Sequence, residues 1–224
     1  MNNGSKQQGV FMNTQPSKIV CVGRNYAEHA KELGNAVPDR PILFMKPPSS
    51  LATLAQGVAW NQALGECHYE CEICLQIAHP LSQEIDKNKA LEAIGAITLG
   101  LDLTLRDLQS ELKNKGQPWE RAKAFDGACI LADWIEADEI GDLQELELVL
   151  MINGEQRQHG FSRDMLFDIG ALLVEINQSF SLQAGDVIMT GTPAGVGALN
   201  PNDQLTMKLI TQSGEYDWDT FVKA

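Results

Sequence analysis

The sequence predicts a β-rich α+β fold, and three observations favour it. Many short apolar runs are separated by Gly, Pro, Asn and Asp, which is typical of strands joined by turns. The pair Asn153-Gly154 directly follows one such run and indicates a two-residue β-hairpin. Helical signals are confined to two segments, so the chain lacks the repeated strand–helix alternation of a parallel barrel.

The strands are expected in chain order from the apolar runs. The first is Lys18–Gly23, and Ile42–Lys46 is extended because the prolines around it prevent one long helix. Further strands are expected at about 69–78, 97–103, 128–131, 146–152, 155–159, 187–190, 204–211 and 215–222.

Two helices are expected. The first starts at Asn25, a plausible N-cap, with Glu28 three residues later as in a capping box and Gly34 as the stop. The second is expected over Ser162–Phe180, where apolar residues recur at helical spacing.

Composition limits the partners and the compartment. The 224 residues are 44% hydrophobic and 21% charged, which is an ordinary globular balance. The net charge of −13 argues against non-specific binding to nucleic acid or to an anionic membrane. We expect a flexible polar extension over residues 1–17, a single catalytic domain over 18–224, and a cytoplasmic protein without a disulfide framework.

A group of acidic residues in apolar surroundings predicts a metal site. On a strand, Glu70 and Glu72 share a face because side chains alternate with a period of two. Asp102 lies in a second apolar run, where a carboxylate needs a partner. Three carboxylates suit Mg²⁺ or Mn²⁺ and leave about three octahedral positions for water and substrate.

Two other interpretations of this segment remain open. Glu-x-Glu on a strand is most often a solvated face. Cys67, Cys71 and Cys74 have the C-x₃-C-x₂-C spacing that can hold a [4Fe–4S] cluster. On a strand, however, Cys71 and Cys74 face opposite sides, which favours buried, reduced thiols.

Further residues could carry chemistry. His29 and Glu32 are three apart on the first helix, where a carboxylate can orient an imidazole that acts as a general base. Lys46 or Lys123 could bind a substrate carboxylate or oxyanion. The glycine-rich loop 190–197 could present backbone N–H groups to an anion. Each of these signals is weak alone, since surface helices, surface lysines and tight turns use the same residues.

Taken together, these segments resemble the fumarylacetoacetate hydrolase family, nearest its small single-domain acylpyruvases and oxaloacetate decarboxylases. The resemblance extends from about Lys18 to Val222. The matching segments are Val22-Gly23-Arg24-Asn25-Tyr26, Phe44-Met45-Lys46-Pro47, His68-Tyr69-Glu70-Cys71-Glu72, Asp102 to Gln109, Gly116-Gln117-Pro118-Trp119 leading to Ala122-Lys123, and Thr190 to Gly197.

The resemblance implies a mixed β-sandwich roll of the family's C-terminal domain type, usually homodimeric, with a short N-terminal lid helix. It implies Mg²⁺ or Mn²⁺ held by Glu70, Glu72 and Asp102. The catalytic residues it implies are His29 and Glu32, which activate water, and Lys123. The substrate-binding residues it implies are Arg24, Lys46, Arg106, Gln109 and Thr192.

The implied reaction is cleavage of a C–C bond in an acylpyruvate, through an enolate of pyruvate that the metal stabilises. The substrate is then a small 2-oxo acid, and decarboxylation of oxaloacetate forms the same enolate without water. An isomerase or decarboxylase acting on 2-hydroxymuconate-type intermediates is an alternative, and a non-catalytic binding module of the same fold is a further one.

Overall fold

Short strands make up most of the regular structure in residues 15–224, the part of the chain that the computed structural model describes. The strands are β1 (Ile19–Gly23), β2 (Ile42–Lys46), β3 (Leu51–Thr53), β4 (Cys67–Tyr69), β5 (Cys71–Ile77), β6 (Ile94–Asp102), β7 (Thr104–Leu105), β8 (Cys129–Leu131), β9 (Ile135–Glu136), β10 (Glu147–Ile152), β11 (Glu155–Phe161), β12 (Val187–Met189), β13 (Gly197–Ala198), β14 (Gln204–Ile210) and β15 (Glu215–Phe221). The α-helices are α1 (Ala27–Glu32), α2 (Lys87–Leu91), α3 (Arg106–Asn114), α4 (Glu120–Lys123), α5 (Ala137–Ile140) and α6 (Ile169–Ser179). Single 3₁₀ turns form at Pro48–Ser50, Leu54–Gln56, Gln62–Leu64 and Ser162–Asp164.

Three sheets form from these strands. The large sheet has the order β2-β1-β12-β5-β6-β8-β3, and β9 also pairs with β6. It is mixed, because β1 and β12 are parallel, as are β3 and β8, whereas the remaining pairs are antiparallel. A four-stranded sheet has the order β11-β10-β14-β15, and a small sheet has the order β13-β4-β7.

The main core lies between the large and the four-stranded sheets, where β10 contacts β5 and β14 contacts β6. Alternate side chains of β10 and β14 are buried there, as the period of two requires: Leu148, Leu150, Ile152, Leu205, Met207 and Leu209. A second apolar cluster covers the other face of the large sheet and contains Cys21, Cys74, Cys129 and Met189. This confirms the β-rich, mixed-sheet fold that the sequence predicts.

Two chain segments leave the large sheet at the same point. The predicted strand 69–78 is interrupted at Glu70, so β4 belongs to the small sheet and β5 to the large one. The chain makes the same change after Asp102, where β6 ends and β7 begins. A hydrogen bond from the Asp102 N–H to the Glu70 carbonyl (2.8 Å) joins the two crossing points.

The predicted hairpin is confirmed. Asn153 and Gly154 have φ angles of 53° and 82°, the left-handed values that a type I′ turn requires, and they connect β10 to β11. The other predicted strands also form, with ends shifted by a few residues, including the closing antiparallel pair β14–β15.

The helix predictions need correction. The helix predicted within Ser162–Phe180 starts only at Ile169, because the Asp168 side chain caps it by accepting from the Ala171 N–H (2.7 Å). The first helix begins at Ala27 and has no side-chain cap. Asn25 is instead buried and donates to the carbonyls of Phe167 (3.1 Å) and Thr190 (2.9 Å).

The predicted N-terminal extension falls mostly on residues 1–14, outside the described part of the chain. At its end, the Ser17 hydroxyl and the Lys18 ammonium both donate to the Asp186 carboxylate. No helix in residues 15–224 combines the length and the apolar content that a membrane span needs.

Candidate active site

Three carboxylates meet where the chain crosses between sheets. Glu70 lies between β4 and β5, Glu72 is the second residue of β5, and Asp102 ends β6. One oxygen atom from each lies within 4.8 Å of the other two, and all three side chains are buried. The structure therefore brings together the three residues that the sequence predicts as metal ligands.

Cations from three elements contact this triad. Lys123, at the end of α4, donates to Glu70 (2.7 Å) and to Asp102 (2.7 Å). Lys46, at the end of β2, places its Nζ atom 2.7 Å from Asp102 Oδ1. Arg106, the first residue of α3, donates to the other oxygen of Glu70.

The three carboxylates are compensated unequally by the neighbouring cations. Burial raises the pKa of Glu70, but Lys123 and Arg106 outweigh that effect and hold the pKa below its usual value. Glu72 accepts a hydrogen bond from the Gly191 N–H (2.8 Å) and has no lysine or arginine in salt-bridge distance among residues 15–224. Burial raises the pKa of Glu72 well above its usual value, and Asp102 and Glu70 raise it further.

This donor set fits a hard divalent cation. Asp102 Oδ1 is buried and receives no hydrogen bond of good geometry, although Lys46 lies close to it. Together with Glu72, which has no lysine or arginine partner in the described structure, it presents the site with carboxyl groups that the protein compensates incompletely. Oxygen ligands in this number suit Mg²⁺ or Mn²⁺, which Glu70, Glu72 and Asp102 would hold.

His29, the predicted general base, lies at the same pocket. His29 is buried, and its Nδ1 atom lies 3.4 Å from Glu32 Oε2. Glu32 also accepts from the Gly195 N–H (3.1 Å), so the loop after β12 holds the carboxylate. Burial lowers the pKa of His29 and outweighs the nearby Glu70 and Glu32, which favours the neutral imidazole.

The pocket itself is small. Its volume is about 40 Å³, and it is lined by the triad and by Arg24, His29, Arg106, Gln109, Lys123 and Thr192. That space suits an ion or a water-sized group, so a 2-oxo acid needs bordering elements to move. Helix α1 is one of these elements, and its role as a lid stays a prediction.

Several residues that line the pocket were not among the site residues expected from the sequence. They include Phe44, Lys113, Trp119 and Leu33. Phe44 packs against Trp119 with ring centroids 5.9 Å apart, and Lys123 Nζ lies 5.1 Å from the Phe44 ring. The position of Lys113 on α3, seven residues after Arg106, would have indicated it if that helix had been predicted.

Gln158 is a further buried residue that sequence reasoning missed. Its amide accepts from the Cys71 N–H (2.9 Å) and donates to Thr192 Oγ1 (2.7 Å) and to the Pro193 carbonyl (2.9 Å). Thr192 in turn donates to the Cys71 carbonyl (2.8 Å). Gln158 therefore joins the strand that carries Glu72 to the loop that borders the pocket.

We expect Gln158→Leu to lower the free energy of unfolding by about 2–4 kcal/mol, because it leaves several buried polar groups without partners. Chemical denaturation measures this loss. Gln156→Leu is the matched control, because Gln156 is exposed on the same strand. Equal effects of the two substitutions would contradict the role of Gln158.

The cysteines do not form the cluster site that their spacing allows. Cys67 and Cys71 pack in the main core, whereas Cys74 lies in the cluster on the opposite face of the large sheet. All five cysteines of the chain are buried and unpaired, as expected for reduced thiols. Burial raises their pKa values, for example that of Cys129 to about 12.

Comparison with known proteins gives a consistent result. Residues 18–217 match the family model described as "Fumarylacetoacetate (FAA) hydrolase C-terminal". The Escherichia coli protein named oxaloacetate tautomerase YcgM is 46% identical over 201 residues, which are 89% of this chain and 91% of that protein. The mitochondrial oxaloacetate decarboxylase of Dictyostelium discoideum is 36% identical and covers 92% of this chain and 94% of its own length.

A solved structure is also similar. The fumarylpyruvate hydrolase from Pseudomonas aeruginosa, crystallised with Mn²⁺ and pyruvate, superposes with a TM-score of 0.84 at 30% identity, covering 99% of this chain and 94% of that one. The family model, the relatives and the fold agree over nearly the whole described chain. The chain belongs to the fumarylacetoacetate hydrolase family.

Proposed function

We propose that the protein is a divalent-metal-dependent enzyme that interconverts the keto and enol forms of oxaloacetate. The observation that carries this proposal is the buried triad of Glu70, Glu72 and Asp102, in which Glu72 lacks a protein cation. The 46% identical relative named as an oxaloacetate tautomerase supports the choice of substrate.

A bound Mg²⁺ or Mn²⁺ supplies a Lewis acid that stabilises negative charge on the oxygen of an enolate. The chain's own cations add to this effect, because Lys123 and Arg106 both contact Glu70 in a buried pocket. Gln109 accepts from Arg106 (2.9 Å) and holds the guanidinium beside Glu70.

His29 is the group that moves the proton. When its Nδ1–H faces Glu32, the Nε2 lone pair is free to take a proton from C3 of the substrate and to return it. The surrounding burial favours the neutral imidazole and limits the access of bulk water to this step.

Hydrolysis of an acylpyruvate is the second candidate, and the His29–Glu32 pair favours it. That pair can deprotonate a water that attacks the distal carbonyl, after which cleavage of the C3–C4 bond leaves the enolate of pyruvate. The similar fumarylpyruvate hydrolase supports this reaction, and the similar oxaloacetate decarboxylase supports loss of CO₂ to the same enolate.

A substrate panel tests these proposals. The purified protein is assayed with enol-oxaloacetate, oxaloacetate and acetylpyruvate, with Mg²⁺, Mn²⁺ or EDTA. We expect the absorbance of the enol to decay rapidly, and we expect this decay to require the metal. Activity that is unchanged in EDTA, or equal to the uncatalysed rate in Mg²⁺, would contradict the proposal. Light scattering of the same sample tests the homodimer, which stays a prediction.

His29→Ala separates the candidate reactions. We expect it to lower acylpyruvate hydrolysis by about 10²–10⁴-fold, the usual contribution of a general base. Decarboxylation of oxaloacetate should fall less, because it needs no activated water. Pyruvate release from each substrate measures both rates, and equal losses would refute this division of roles.

A further inference from the structure

One face of α3 is directed at the pocket. Arg106, Gln109 and Lys113 are three and four residues apart, which places them on one side of a helix, and all three line the cavity. Arg106 donates to Glu70 and to the side-chain carbonyl of Gln109. Lys113 forms no salt bridge with any residue in 15–224.

A second cation at the pocket is also without an acidic partner. Arg24 lines the cavity and pairs with no carboxylate in the described part of the chain. Its φ angle of 60° is rare for a residue with a side chain and fixes the backbone at the end of β1. Burial lowers the pKa of Lys113, and Arg24 and Arg106 lower it further, so these cations repel one another.

An aromatic pair sets Lys113 apart from the cations of the triad. Lys123 contacts Phe44, Phe44 packs on Trp119, and Lys113 Nζ lies 5.7 Å from the Trp119 ring centroid. Lys123 donates to Glu70 and Asp102, whereas Lys113 lies over the face of the Trp119 ring. An ammonium group held there has donors free for an anion.

The charge balance indicates the kind of anion. Lys46, Lys123 and Arg106 equal the three carboxylates of the triad in number, although none of them pairs with Glu72. A divalent cation, Arg24 and Lys113 therefore leave the pocket with excess positive charge. The chain as a whole is acidic, with 30 Asp and Glu against 17 Lys and Arg. Unpaired cations collected at one pocket therefore point to a ligand that carries more than one negative charge.

We propose that Lys113, together with Arg24, binds the carboxylate of the substrate that is distal to the metal site and so selects 2-oxo dicarboxylates over 2-oxo acids with a neutral tail. This inference rests on the proposed function and adds a specificity-determining residue to it. Lys113 Nζ lies over the Trp119 ring, and both cations line the same pocket.

The same contact opposes decarboxylation. Loss of CO₂ from oxaloacetate breaks the C3–C4 bond, leaves the electron pair on C3 as the enolate, and requires the distal carboxylate to lose its charge. A carboxylate paired with Lys113 is stabilised as an anion, so this step slows. Tautomerisation keeps both carboxylates intact and is not opposed.

The test compares two substrates in matched variants. We expect Lys113→Met to raise the KM for enol-oxaloacetate by about 10-fold, as loss of a charge-assisted contact at a half-exposed group implies, with kcat changed little. The KM for acetylpyruvate should not change, and the ratio of pyruvate formed to enol consumed should rise. Lys113→Arg should restore the KM. Lys115→Met is the control, because Lys115 is exposed and paired with Glu111.

A binding measurement separates failure of this inference from failure of the proposed function. Calorimetry with Mg²⁺ gives the affinity of malate, a dicarboxylate, and of lactate, which lacks the distal carboxylate. The wild type should prefer malate, and Lys113→Met should remove that preference. If this holds without oxaloacetate turnover, the proposed function fails and the inference stands. Turnover with an unchanged malate affinity in Lys113→Met, or no malate binding by the wild type, overturns the inference.

Discussion

Glu72→Gln is expected to abolish divalent-metal binding and to lower oxaloacetate turnover by about 10³-fold, because several kcal/mol of Lewis-acid stabilisation is lost. The substitution preserves shape, and the amide oxygen can still accept from the Gly191 N–H. Enzyme assays and calorimetric titration with Mg²⁺ measure the two losses.

The same variant has a stability signature that does not depend on activity. The pKa of Glu72 is raised in the folded protein, so its contribution to stability is complete below pH about 4.3 and decreases as the pH rises through the folded-state value. Without metal at pH 7, the unfolding temperature of Glu72→Gln should therefore be equal to or higher than that of the wild type. The difference between the two unfolding temperatures should decrease towards pH 4.

Bound metal should reverse the order of stability of the wild type and Glu72→Gln. Mg²⁺ at about 100 times its dissociation constant should stabilise the wild type by about 2.7 kcal/mol and leave Glu72→Gln unchanged. Glu66→Gln is the matched control, since Glu66 is exposed nearby and lies outside the triad. An equal Mg²⁺ response in the wild type and Glu72→Gln would show that Glu72 is not a ligand.

Lys123→Met is expected to lower the free energy of unfolding of the metal-free protein by about 3–5 kcal/mol, because it leaves Glu70 and Asp102 as less compensated buried charges. Turnover should also fall strongly, since the pocket loses a buried cation. The affinity for Mg²⁺ should rise, because the triad becomes more negative.

This opposite movement of metal affinity and activity distinguishes electrostatic loss from simple misfolding. Denaturation with and without Mg²⁺ measures it, and saturating Mg²⁺ should recover most of the lost stability. Arg121→Met on the same helix is the control, because Arg121 is exposed. Weaker Mg²⁺ binding by folded Lys123→Met would contradict the expected role of Lys123.

Most of the longer strands were predicted because they are apolar runs with turn residues at their ends, whereas the short β3, β7, β9 and β13 have no such run and were missed. Glu70 shows where that reasoning stops. A continuous strand and a strand that changes sheets at Glu70 have the same residue pattern, and only the pairing of β4 with β13 and β7 distinguishes them. The carboxylate triad was still predictable, because acids in apolar runs need a cation in either arrangement.

The missed helix α3 explains why part of the pocket was not predicted. It begins at Arg106 directly after β7, and Leu105 at its N-cap position offers no side-chain bond. Without a capping signal, the segment had no predicted boundary, and the shared face of Arg106 and Lys113 could not be inferred. The prediction for Asn25 failed for the opposite reason. Its residue type is suited to N-capping, but its side chain instead donates to the carbonyls of Phe167 and Thr190, which lie in distant segments.

The buried thiols have a practical consequence. The five cysteines are distributed over β1, β4, β5 and β8, and none is exposed. Thiolate is the reactive form, so burial and raised pKa values protect every sulfur while the sheets remain paired. Alkylation of this protein therefore proceeds at the rate at which its strands separate. The rate of labelling at each cysteine of the natural chain reports how often the strand that carries it opens.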